Sequence, residues 1–372
     1  MPSVEVPDES YTVLERYASR TEELLLGALR QFDSEARCTI RQSLDLGLPH
    51  NVVRLAGGFP TGLVVQWSCS TPFVPVDTTV NACTVSVFRL ADSAFRGIST
   101  LGGLEARMQH LESLKTPYQL NFRRGNHFIS VCQESKSGAG FLVLHSSAAE
   151  FKNGASGLYP SPDAWYAPRI QTYASEGRYL RYITDGDARL FFRIAEQLTA
   201  SNELRHEFLA TQFAGLPEVL DLVVHSHHYS MPSPDTVAIG TCLVPPGTLI
   251  PLLSAPGQPI ALCRSRKNRA NAVQVGGRAL QAVPHGWGKT SKAPLELTMS
   301  EEFDSLAING VLYPVESESN LVGHTDLALR EYPAQADDPA SFLNRYQDEL
   351  GVSIELELAQ VVSVGSGGMQ EW

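Results

Sequence analysis

Four short runs constrain the fold most: GLVVQWSCS (62–70), ACTVSVFRL (82–90), HFISVCQ (127–133) and GFLVLHSS (140–147). Each is too short for a core helix and rich in β-branched or aromatic residues. Each is bounded by Gly, Pro, Ser or Thr, the pattern of strands. Residues 50–150 therefore read as sheet, and 219–300 return to strands and turns, punctuated by VPPGT, SAPGQP and VGGRA. Helical periodicity is confined to 9–36, to 186–214, and to DPASFLNRYQDEL (338–350), which has Pro in its first turn and ends at Gly351. A strand, SIELELAQVVSV, follows. The expectation is an α+β fold of packed β-sheets with flanking helices, one large domain over 1–372. Residues 1–48 form its N-terminal helical segment and 366–372 a loose tail.

Of 372 residues 43% are hydrophobic and 19% charged, the balance of a folded chain with a sizeable core. The net charge of −11 excludes a generally basic nucleic-acid coat, though not a local basic groove. The strongest basic run is CRSRKNRANAVQVGGR, with Arg264, Arg266, Lys267, Arg269 and Arg278; Arg123 and Arg124 precede GNHF. No apolar run is long enough for a bilayer, and the opening MPSVEVPDESYTVLERY carries acids where an export signal has a basic start. The six cysteines show no CxxC pairing, which points to reduced thiols and a cytoplasmic protein.

Six of the ten histidines lie at the ends or edges of apolar runs. They are His127 in GNHF, His145 in VLHSS, His225, His227 and His228 in VVHSHHYS, and His285 in PHGWGK. Cys83 opens a strand. Imidazole and thiolate are the natural ligands of borderline divalent metals, and a strand end fixes the backbone while leaving the side chain reachable. A ligand histidine needs a partner on its other ring nitrogen, which Asn126 or a nearby carbonyl can supply. None of these spacings is a short-range metal signature, and a lone histidine at a strand end is more often structural.

In order, VNACTV, GNHF, LHSS, HSHHY and HGWGK resemble the motifs of the RtcB-type RNA-splicing ligases. The stretch from HTDLALREY through DDPASFLNRYQDELGVSIELELAQVVSV is also similar to that family. The resemblance spans roughly residues 50–365. It implies a metal- and nucleotide-binding cleft and a monomeric enzyme. Such an enzyme joins an RNA 3′-phosphate or 2′,3′-cyclic phosphate to a 5′-hydroxyl with GTP and Mn²⁺; two ions are expected, with Zn²⁺ or another divalent ion as the alternative. By the same resemblance Cys83, His127 and His145 are metal ligands. The third metal histidine is His227, by alignment on Tyr229, or His225 by an alternative alignment. His285 is the nucleophile that takes up GMP, and Asn126, His228, Gly286, Gly288 and Lys289 lie at the nucleotide.

Several positions depart from the family. Val80 stands in place of an aspartate, with Asp77 nearby, Ser130 in place of a glutamate, and Lys289 in place of an arginine. SSAAEFKNG replaces a glycine-serine-arginine turn, and Gly365 a base-contacting lysine. These departures leave two other readings: a metal-binding relative without ligase activity, and a metal-dependent phosphohydrolase.

Overall fold

The computed structural model describes residues 9–148, 157–215, 220–254, 256–286, 289–291, 295–315, 329–331 and 347–372. Helix accounts for 28% and strand for 41% of the described residues, a mixed α and β architecture. The principal sheet is antiparallel throughout. Its order is Leu249–Leu252, Ile260–Ser265, Val352–Gly365, Phe128–Glu134, Gly140–Ser146, Thr84–Leu90 and Leu220–His227. It curls until its two outer strands lie side by side, so it is nearly closed.

Side-chain alternation explains the two faces of this sheet. Along Thr84–Leu90, Val85 and Val87 enter a cluster with Val143, Ile260, Leu262 and Leu358 inside the curl. Phe88 and Leu90 point outward into a second cluster with Leu142, Leu144, Leu209 and Phe213. That outer face is covered by helices.

The α-helices whose full extent is described are α1 (Glu9–Arg30), α2 (Val52–Ala56), α3 (Asp92–Ile98), α4 (Leu101–Ser113) and α5 (Asp185–Ala214). Helix α5 buries Leu198, Asn202, Arg205, His206, Leu209 and Phe213, a stripe at three- and four-residue spacing. It stops at Gly215, whose φ of 96° is open to glycine and strained for other residues. A second sheet, ordered Arg37–Gly47, Thr61–Ser68, Thr236–Ile239 and Tyr229–Ser233, packs with α1 in the largest core cluster.

The four strand-like runs form strands, but three boundaries differ from expectation. Helix α1 ends at Arg30, and Arg37–Gly47 is a strand rather than part of a helical segment to 48. Within 50–150, α3 and α4 interrupt the sheet. Leu104, Met108 and Leu111 bury one side of α4, a helical stripe obscured by the glycines at its start. The tail is not loose: Gly368–Glu371 turns back to pair with Val362–Gly365. Of the helix expected over 338–350, only 347–350 falls among the described residues, and it is helical.

Candidate metal centre

One end of the curled sheet gathers residues from well-separated segments. Cys83 Sγ lies 3.2 Å from His145 Nε2 and 3.5 Å from His127 Nε2. His145 Nε2 lies 3.2 Å from His228 Nε2. Cys83, His145 and His228 are buried and offer ligand atoms within 4.8 Å of one another, a group that could hold a metal ion. The His228 ring stacks on that of His285, with centroids 4.4 Å apart and planes 17° apart.

Local structure sets each side chain. His145 stands on the inner face, opposite Val85 and Phe128. Its Nδ1 donates to the Asn126 carbonyl at 2.9 Å, which leaves the Nε2 lone pair toward Cys83 and His228. One lone pair thus faces both the Cys83 sulfur and a second imidazole nitrogen, an arrangement a bound cation satisfies better than one proton. Spacings of 3.2–3.5 Å also suit ligand atoms sharing a metal at about 2.0–2.3 Å. Burial, reinforced by neighbouring His127 and His285, holds His145 well below the usual histidine range. Burial followed by His285 and His145 does the same to His228, so both are neutral imidazoles at pH 7. His228 Nδ1 is buried without a hydrogen-bond partner.

His285 is fixed from behind. Its Nδ1 donates to the Gly240 carbonyl at 2.7 Å, which places the ring's lone pair on Nε2. Gly240 has φ +71°, and a Cβ there would come within 2.4 Å of the Thr61 side chain, so glycine is required. A cleft of about 330 Å³ opens onto His127, His145 and His285, with His50, Asn126, Gln360, Gly365 and Gln370 along its wall. No Lys, Arg, Asp or Glu lines it among the described residues.

The structure redistributes the HSHH histidines. His225 and His227 share the outer face, opposite Ser86 and Thr84. His227 lies 2.9 Å from Thr84 Oγ1 and 2.7 Å from Glu203 Oε1; His225 lies 2.7 Å from Ser86 Oγ and 3.2 Å from Glu207 Oε1. The side chain that joins Cys83 and His145 is therefore His228, which follows the strand at a bend, and not His227 or His225. A strand puts successive side chains on opposite faces, so the one-residue difference decides the chemistry.

Other expected residues divide similarly. Asn126 contributes its carbonyl to His145 and lines the cleft, as does Gly286. Gly288 and the Lys289 side chain fall outside the described residues. Asp77 is buried and bound by Arg181 at 2.5 Å. Ser130 donates to Gln360 at 3.3 Å. In the basic run, Arg264 pairs with Glu355 at 3.1 Å and Arg266 with Asp348 at 2.6 Å, which offsets part of its charge.

The sequence reading missed Asn202, Arg205 and His206, which back the site from α5. Their signal was present: they continue the buried stripe of α5 with polar groups. His206 is completely buried, 2.7 Å from both Ser86 Oγ and Ser146 Oγ, and burial holds it well below the usual histidine range. No protein-family model matches the chain, and no curated protein matches its sequence.

Proposed function

We propose that the chain is a divalent-metal- and GTP-dependent RNA ligase of the RtcB type. It would join an RNA 3′-phosphate or 2′,3′-cyclic phosphate to a 5′-hydroxyl through a histidine–GMP intermediate. The observation that carries this reading is the gathering of Cys83, His127, His145, His228 and His285, from separate segments, beside one cleft. The motif order that resembles the family is the second support.

In this reading Cys83, His127, His145 and His228 hold Mn²⁺ or a similar ion. The ion supplies positive charge against phosphate oxygens where the described cleft wall has none of its own. Gly240 holds the Nδ1–H of His285, and Nε2 attacks the α-phosphate of GTP. A P–N bond forms, the P–O bond to pyrophosphate breaks, and pyrophosphate departs. The P–N bond then breaks as an oxygen of the RNA 3′-phosphate takes up GMP, a 2′,3′-cyclic phosphate first being opened by water to the 3′-phosphate; the 5′-hydroxyl oxygen attacks that phosphate, loses its proton and expels GMP.

Incubation with α-labelled GTP and Mn²⁺ should leave an acid-labile, alkali-stable label on the protein. The label should be absent from His285→Ala and Cys83→Ala. Failure of any nucleotide to label the wild-type chain would remove the ligase reading.

The uncharged described cleft wall, with Gly365 on it, favours a second reading: a metal-binding relative that does not transfer nucleotide. That reading predicts bound metal with no label. Phosphatase or nuclease turnover without nucleotide would instead mark a metal-dependent phosphohydrolase.

A further inference from the structure

We infer that Asn202, on the buried face of α5, is the positioning residue that holds the Cys83 and His145 donor atoms in register. The inference rests on the metal-binding part of the reading above, but not on nucleotide transfer.

Asn202 is fully buried, and its Nδ2 donates into the backs of two ligand-bearing segments. It lies 2.9 Å from the Ala82 carbonyl, 3.0 Å from Thr84 Oγ1 and 3.1 Å from the Ser146 carbonyl. Ala82 and Thr84 flank Cys83, and Ser146 follows His145. One amide group thus ties both segments together from the outer face, while the donor atoms meet on the inner face.

The connection extends to the third segment. Asn202 Oδ1 accepts from Arg205 at 3.2 Å. Arg205 also donates to Ser146 Oγ at 2.7 Å, to the Ser147 carbonyl at 3.1 Å and to Asn121 Oδ1 at 3.3 Å, and it bonds the Gln119 carbonyl. Asn121 in turn donates to the Ser147 carbonyl at 3.0 Å. Residues 119–121 lead into the turn that presents His127.

Local strain explains why such a tie is needed. Ala82 has φ +52°, a left-handed conformation unfavourable for a residue with a Cβ. Relaxation would rotate the peptide that joins Ala82 to Cys83 and so move Sγ. The bond from Asn202 to the Ala82 carbonyl opposes that rotation. Asparagine is a poor interior helix residue, and a buried amide is tolerated only when its hydrogen bonds are made. Here they are made to the segments that carry the ligands.

Co²⁺ titration of the full chain tests this, because a thiolate–Co²⁺ charge-transfer band reports the Cys83 bond directly. The wild-type chain should bind with a strong band. Asn202→Leu should bind about 10- to 100-fold more weakly with a diminished band. Asn202→Ser, which keeps one donor, should fall between, and it carries the comparison if the leucine variant does not fold. Thr21→Val is the control for simple destabilisation. Thr21 is buried and bonds the Tyr17 and Gly58 carbonyls at 3.0 and 2.9 Å, so its loss should lower stability while leaving the Co²⁺ band and affinity unchanged. Folded Asn202 variants with wild-type affinity and band would overturn the inference alone. A wild-type chain that binds no divalent ion would overturn the metal reading and this inference together.

Discussion

His228 and His227 are neighbours in the chain, yet their side chains enter different environments. His228 faces Cys83 and His145 inside the curled sheet, neutral and buried. His227 lies across the sheet, between Thr84 and the half-exposed Glu203. Replacing each by alanine should separate the two roles. His228→Ala should weaken divalent-metal binding by at least about 100-fold, more than the loss of an outer partner costs. His227→Ala should leave affinity within a few-fold and lower stability by about 1 kcal/mol, the scale of a partly exposed hydrogen bond. Metal titration and urea denaturation of the two variants check this. Equal loss of metal binding would mean that the outer face also contributes ligands.

At the scale of elements, the terminal hairpin is the clearest case of structure carried by few residues. Gly368–Glu371 pairs with the end of the Val352–Gly365 strand, and Trp372 Nε1 donates to Ser363 Oγ at 3.2 Å. Met369 packs against the outer cluster, while Ser366, Gly367 and Gln370 help to wall the cleft. Removal of residues 366–372 should therefore lower unfolding stability by about 1–3 kcal/mol, read from the urea midpoint. A truly loose tail would leave the midpoint unmoved. Helix α5 shows the converse: its stripe is legible as a helix, but its middle is polar because it backs the segments that carry Cys83 and His145.

For the molecule as a whole, the buried histidines set a pH dependence. His145, His206 and His228 all have pKa values held well below the ordinary 6.5, with burial the largest cause in each. Below about pH 6.5 the unfolded chain takes up protons at these sites while the folded chain does not. Their contribution to stability is therefore fully present above that pH and is lost as pH falls, by up to about 1.4 kcal/mol per pH unit for each group. Urea midpoints should fall from pH 7 to pH 5, and Asn or Gln at position 206 should make that fall shallower. A midpoint independent of pH across that range would contradict the neutral, buried state of these rings. The sequence alone determined the strand-rich texture, the long helix α5, and the candidates Cys83, His127, His145 and His285, because periodicity and residue chemistry are local properties. Within HSHH it pointed to His227 or His225 as the ligand and not to His228. Only the tertiary structure decided which face turns inward, and so selected His228. It also placed Asn202 and Arg205 behind the ligand-bearing segments and folded the last residues onto the cleft. Those outcomes depend on which segments pack together across long separations, and neither spacing nor propensity within one segment specifies that.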